Sequence, residues 1–401
     1  MMAANKIIIV SLLLGMSSYG YAQSFKTLSP ADLTTIKYTV EPAPEWTALL
    51  KRSDGWFGGD GIFTIPLNGV ENKPATDKDK TLFLFSDTMI GNIRDNVLMP
   101  GSEMIHNSVA ILTGDKPNKN KMKFYWDSNQ SGKPESLFIP HTPKAKTGDY
   151  FWLGDGFINR ELNDNLYIFG YRIHNIDTAA FGFKEVGNVL IKIQAHDKPP
   201  YKLQRQYDTP FYIDGKDGST GSFGAGIYVN TKWASAPRPD GYIYVYGVVG
   251  KYKSLLVARV KPADFENYSK WTYWDGRTWN SSITKAVKIA DWVSNELSVS
   301  PMPDGRYALV FQIGTITKDI GLRIGKTPYG PFGPAIKIWD CSEDLLKKTY
   351  MVYNAKAHPS LSAPDELIIS YNINSTRFLK DLAADPNLYR PRFIKLKFNK
   401  H

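Results

Sequence analysis

The chain has 401 residues, 42% hydrophobic and 22% charged, with 32 Gly, 25 Pro and 13% aromatic residues. Ample apolar content and the lack of a three-residue Gly period exclude a disordered or collagen-like chain, and the Tyr, Gly and Pro load argues against a helical bundle. The net charge of +10 is spread rather than blocked, so no nucleic-acid partner is expected, and the single Cys341 excludes an intrachain disulfide and a Cys-based metal site.

The chain opens as an export signal. Lys6 precedes an apolar run at residues 7–16 (IIIVSLLLGM), and Gly20 and Ala22 supply the small residues of a cleavage site. Residues 1–22 are therefore expected to be a cleavable signal peptide, and no later stretch reaches spanning length. No Cys stands directly after the cleavage site, which argues against a lipid anchor. The product is read as a periplasmic or secreted monomer. Residues 23–55 are read as a lead-in segment, with residues 56–401 forming one domain.

Past the lead-in, short strand-like runs are broken by Gly, Pro, Asn and Asp. Five strongly apolar or aromatic runs stand out: 81–88 (TLFLFSDT), 165–172 (NLYIFGYR), 241–248 (GYIYVYGV), 306–313 (RYALVFQI) and 366–373 (ELIISYNI). Each follows a related segment: GGDGIFTIP, LGDGFINRE, GAGIYVN, NELSVSPMP and AKAHPSLSAP. Marked by Asp60, Asp155, Gly226, Glu296 and Ala357, these recur at gaps of 95, 71, 70 and 61 residues. Such spacing predicts an all-β fold, a five-bladed β-propeller in one domain, with short peripheral helices near 45–52 and 376–384. A pair of β-sandwiches is the competing architecture, but it does not explain one motif recurring in every unit. The lysine-rich 116–123 stretch falls between two strand-like runs and reads as a solvated hairpin loop.

In a propeller the first strand of each blade lines a central channel. Three of the five marks are acidic: Asp60, Asp155 and Glu296. Carboxylates on inner strands are costly unless paired or used, and crowding like charges raises at least one pKa. Keeping one carboxylic acid protonated beside an ionised one is the requirement of glycoside hydrolysis. The competing reading of each acid is a cap for backbone amides, since Asp before Gly is a common turn residue. Asp87, ending the second strand of the first unit, is a fourth acid. Trp56, Trp152 and Trp292, with Phe57 and Phe151, flank the marks and suit stacking on sugar rings. Asn107 and His358 begin strands, and Arg172 and Arg323 are placed to reach the channel and hold an anionic group or a carboxylate. Six histidines without a His-x-His or His-Glu-x-x-His motif point to no catalytic metal. No cofactor is called for, and a channel cation such as calcium is left open.

Taken together, Trp56-x-x-Gly59-Asp60-Gly61, Leu84-Phe85-Ser86-Asp87-Thr88, Asn107-Ser108, Asn295-Glu296-Leu297-Ser298-Val299, the Gly330-Pro331-Phe332-Gly333 turn and the stretch from Tyr353 to His358-Pro359 resemble one group. It is the exported bacterial propellers of the domain of unknown function 4185 type, which include endo-D-arabinanases. More widely the chain is similar to five-bladed arabinanases and xylosidases. The resemblance implies hydrolysis of a furanoside such as D-arabinan at the channel mouth. It implies Asp60 as base or nucleophile, Glu296 as general acid and Asp155 as the residue that tunes and orients. The third unit departs from that pattern, with Gly224-Ala225-Gly226 where an acid is expected, which could shift the acid role to Asp155 or Asp87. The expectation is thus a polysaccharide-cleaving glycoside hydrolase. Two other readings stand beside it: a non-catalytic glycan-binding propeller of an uptake system, and a lyase acting on an acidic polysaccharide.

Overall fold

The computed structural model describes residues 30–177, 182–215 and 219–399. The signal-peptide expectation, at residues 1–22, lies outside the described residues. The fold is all-β, as the composition required. The α-helices among the described residues are Pro44–Leu49 and Phe378–Ala384, each shorter than or shifted from the helical stretches read in the sequence.

Among the described residues the strands form seven antiparallel sheets, and five of these follow the chain in order. The first runs Phe63–Pro66, Lys80–Phe85, Ser108–Thr113, Met122–Tyr125. The second runs Tyr150–Asn159, Asn165–Asn175, Phe183–Ile193, Arg205–Asp208, and the third is led by Gly221–Asn230, Tyr242–Val249 and Ser254–Val260. The fourth is Leu297–Pro301, Tyr307–Gln312, Asp319–Gly325 and Ile336–Asp340. The fifth is Tyr350–Ala357, Glu366–Ser375 and Arg392–Phe398, and its outermost strand is Tyr38–Pro42. The segment read as a lead-in therefore contributes a strand that ties the N-terminal part of the described chain to the C-terminal part, with Tyr38 opposite Phe398 and Pro42 opposite Ile394. The lysine-rich stretch is a hairpin connection, as expected, between Ser108–Thr113 and Met122–Tyr125.

The five strong runs are the second strands of these sheets. They are apolar on both faces because each sheet is covered by a neighbour on either side. Leu82 and Leu84 pack with Leu153, Ile168 and Val189 between the first two sheets. Tyr244, Tyr246 and Val257 pack with Val299, Leu309 and Phe311 between the third and fourth.

The first strands pack side by side. Tyr150–Asn159 lies between Phe63–Pro66 and Gly221–Asn230, and Leu297–Pro301 lies between Gly221–Asn230 and Tyr350–Ala357. A hydrogen bond of 2.9 Å between Thr64 Oγ1 and His358 Nδ1 links the fifth sheet back to the first. The approach is close enough to demand glycine: a Cβ on Gly154 would stand 2.8 Å from the Gly224 carbonyl oxygen, and Gly224 itself has φ +110°. Three first strands bulge at the same point, between Leu153 and Gly156, Phe223 and Gly226, and Tyr353 and Lys356. A bulge re-aims the side chains within it. Here those residues are Gly154-Asp155, Gly224-Ala225 and Asn354-Ala355.

Candidate active site

Asp60 leaves the Asp54–Gly59 strand and Asp87 leaves the Lys80–Phe85 strand, and the backbone holds them side by side. The Asp60 N–H donates to the Asp87 carbonyl (3.1 Å) and the Ser86 N–H to the Asp60 carbonyl (2.9 Å). Gly61 follows at φ +64°, where a Cβ would meet Ser86 Oγ at 2.7 Å. Tyr353 Oη donates to Asp60 Oδ2 (2.6 Å), and the Tyr389 hydroxyl is a second partner. Burial first, then the charges of Asp87 and Glu296, push the Asp60 carboxyl up to about 8. At neutral pH it is protonated.

Asp87 sits in a different environment. Trp152 Nε1 donates to Asp87 Oδ1 (3.0 Å), and His106 Nδ1 lies 2.9 Å from the same oxygen. The carboxylate is 22% exposed, and the His106 ring stacks on Tyr150 with centroids 3.7 Å apart. The two neighbouring acids are thus treated oppositely: one is buried against tyrosines, and the other is reachable and held by N–H donors.

Glu296 precedes the Leu297–Pro301 strand. Its Oε2 is 2.6 Å from Lys356 Nζ, and Asn354 Nδ2 donates to its Oε1 (2.7 Å). Burial nevertheless holds its pKa above the ordinary value. Asp155 accepts from the Gly156 N–H (2.8 Å) and the Ile227 N–H (2.7 Å), so it stitches the second sheet to the third. Burial raises its carboxyl to about 7 against those bonds. The crowding of acids expected from the sequence is present, since Glu296 acts on both Asp60 and Asp155, but burial is the larger cause in every case. Tyr171 lies within the field of Glu185, Glu296 and Asp155; among the described residues its buried hydroxyl has no hydrogen-bond partner.

Below these groups is a cavity of about 50 Å³, lined in part by Asp155, Glu71, Ser298, Lys356 and His358. The loop carrying Glu71 and Asn72 lines one side of it, and Asn72 Nδ2 donates to the carbonyls of Val229 and Ala234 (both 3.1 Å). Burial and the Asp155 charge push the Glu71 carboxyl well above the usual range.

Asp60, Asp87, Asp155, Glu296 and Trp152 are brought together; the other candidates are not. Trp56, 1% exposed, is packed on Phe85 and Phe124. Phe57 and Phe151 are likewise in the core. Asn107 is fully buried, spending its amide on the Phe138 and Phe151 carbonyls and on the Phe138 N–H. Arg172 is locked to Asp208 (3.1 Å) and Asp149 (3.5 Å), pinning an outer strand. Arg323 donates to the Gly333 and Asp291 carbonyls. His358 is a satisfied core histidine between Thr64 Oγ1 and Ser370 Oγ (2.7 Å), kept neutral by burial. Trp56, Asn107, Arg172, Arg323 and His358 are corrections to the substrate-binding expectation with a shared cause: the fold packs the Trp56 ring into the core and engages the other four side chains in hydrogen bonds or ion pairs.

Residues missed in the sequence include Tyr353, Tyr389, Asn354 and Lys356. Lys356 had a readable signal, a lysine between two alanines on an apolar inner strand, which is tolerable only with a buried counter-charge. Tyr389 had none. Among the described residues no group of three or more His, Cys, Asp or Glu could hold a metal ion, and no helix is long and apolar enough to cross a membrane.

A family model described as a domain of unknown function (DUF5005) matches residues 44–398. The match is to that family, and the likeness to the 4185 type rests on the motifs alone. No curated protein sequence matches the chain. Among solved structures, a Bacteroides ovatus protein provisionally classed as a hydrolase is 20% identical, with a TM-score of 0.70, covering 94% of this chain and 97% of that one. It shares the fold. A GH62 hydrolase in complex with xylotriose is 11% identical (TM-score 0.45, 87% of this chain and 99% of that one). An exo-beta-1,3-galactanase of Phanerochaete chrysosporium with galactose is 10% identical (TM-score 0.43, 86% and 60%).

Proposed function

We propose that this chain, which belongs to the DUF5005 family, is a polysaccharide-cleaving glycoside hydrolase with its reacting carboxylates at the mouth of the ring of first strands. On this reading the five meander sheets are the blades of one propeller domain. The chain acts as a monomer exported by residues 1–22. The observation that carries the proposal is the Asp60–Asp87 pair: two acids fixed by the same backbone hydrogen bonds, one held protonated to about 8 and the other an accessible carboxylate.

Asp60 is then the general acid, giving its proton to the glycosidic oxygen as the C–O bond breaks. Asp87 acts at the anomeric carbon, by deprotonating water or by direct attack; the two routes give opposite anomeric configurations, which proton NMR of the first product distinguishes. Tyr353 and Tyr389 orient the acid. Glu296, paired with Lys356, tunes it, and Asp155 holds the second and third sheets in register beside it. This reverses the role implied for Asp60 by the motif resemblance and moves Glu296 from acid to tuning residue. The D-arabinan substrate is supported by that resemblance only.

Purified protein should release reducing ends from at least one member of a polysaccharide panel that includes D-arabinan, L-arabinan, xylan and galactan. Asp60→Asn and Asp87→Asn should each lower turnover by about 10³-fold or more while the fold is kept. Wild-type turnover in either variant overturns the assignment. Tight oligosaccharide binding with no product release would mark a glycan-binding module instead.

A further inference from the structure

Two large rings stand out in solvent near this site. Trp292 and Tyr252 are 52% and 55% exposed and meet edge to face, with centroids 5.4 Å apart. Of the aromatics flanking the acidic marks, only Trp152 and Trp292 escape the core, and Trp152 is occupied with Asp87.

The pair is held by three loops that bind one another. The Trp292 N–H donates to the Tyr252 carbonyl (2.8 Å), the Gly314 N–H to the Trp292 carbonyl (2.9 Å), and Thr315 Oγ1 to the Val293 carbonyl (3.3 Å). Arg323 clamps the neighbouring Asp291 carbonyl at 3.1 Å. Each loop carries a non-glycine residue in the left-handed region: Lys253 at φ +48°, Trp292 at +56° and Thr315 at +78°. Bulky and β-branched residues avoid that region, and they persist there only when the surroundings impose it. Three such residues on loops that bind one another, presenting an apolar ring to water, are a costly arrangement for a surface without a ligand.

The pair is continuous with the mouth. Ser294, two residues on from Trp292, donates to the Glu296 carbonyl (2.5 Å), and Ile316 bridges to Tyr353, the donor to Asp60. Lys253, next to Tyr252, acts electrostatically on Glu185, which Ser222 Oγ also contacts. Glu185 in turn acts on the unpartnered Tyr171 hydroxyl. A stacking face beside a cation and a carboxylate is the chemistry that recognises a sugar ring: its C–H face on the aromatics, its hydroxyls on the polar groups.

We infer that Trp292 and Tyr252 form a stacking platform for a saccharide unit of the glycan chain, away from the bond being cut, with Lys253 and Glu185 as its polar partners. The inference rests on the mouth being a glycan-cleaving site. It adds that the substrate is a chain of several residues gripped beyond the reacting sugar.

Isothermal calorimetry of the Asp60→Asn chain with arabinotetraose, xylotetraose and galactotetraose tests it. At least one tetrasaccharide should bind. Adding Trp292→Ala should weaken that binding about tenfold or more, and Trp292→Phe should stay within about threefold. The melting temperatures should coincide, since the ring is half in solvent. Undiminished affinity in Trp292→Ala, or no binding by any of the three, overturns the platform. Platform-dependent binding by wild-type protein that releases no product would instead sink the hydrolase reading and leave the platform standing.

Discussion

Asp60→Asn should cost the protein its activity and yet make it more stable above neutral pH. The carboxyl is moved from an ordinary 3.8 to about 8 in the fold, chiefly by burial. Between those values the native state holds a proton that the unfolded chain has released, so native stability falls as pH rises through the window. Each pH unit is worth about 1.4 kcal/mol, which sets a ceiling of about 6 kcal/mol across the window. Asparagine has nearly the same shape, keeps an oxygen for the Tyr353 hydroxyl, and carries no such slope. Near pH 4 the two proteins should differ little on this account. At pH 9 the variant should lead, and even half the ceiling, about 3 kcal/mol, would raise the melting temperature by roughly 4 °C. Differential scanning calorimetry at pH 5, 7 and 9 measures this. A gap that does not change with pH, or a variant less stable than wild type at pH 9, would falsify the claim that Asp60 is held protonated.

The neighbours of Asp60 yield further tests. Tyr353→Phe removes a 2.6 Å bond that lowers the Asp60 pKa, so the alkaline limb of the pH–rate profile should move up by about one unit; an unmoved limb would mean another group is the acid. Lys356→Met strips Glu296 of a buried partner at 2.6 Å and should cost about 3–5 kcal/mol in urea unfolding, most of it recovered in the double variant with Glu296→Gln. If the double variant is no better than the single, the pair is not the cause. Trp56→Ala empties a core position and should cost about 3–5 kcal/mol, with the oligosaccharide affinity of the folded protein unchanged. A loss of affinity without loss of stability would return Trp56 to the sugar site.

The amino-acid order by itself determined the all-β class and the five strong second strands, because burial on both faces of a sheet writes a continuous apolar run that needs no partner to be recognised. It also marked the acids, because Gly59-Asp60, Gly154-Asp155 and Asn295-Glu296 each set a carboxylate behind a small or polar residue, in a first strand or shortly before one. Tertiary structure decided which of these acids meet, and what surrounds them. Trp56 and Trp152 precede their Gly-Asp steps in much the same way, yet Trp152 lies within a first strand and reaches Asp87, whereas Trp56 belongs to the Asp54–Gly59 strand of a separate sheet and points into the core. In a strand the side-chain period is two, so a bulge or a change of sheet alters which face a residue serves, and neither can be read from the residue's own neighbours. The partner of Asp60 is Tyr353, 293 residues away, and the counter-charge of Glu296 is Lys356, placed by a bulge in another sheet. A carboxyl's pKa is set by what packs against it in space, and that packing exists only once the sheets have closed around it.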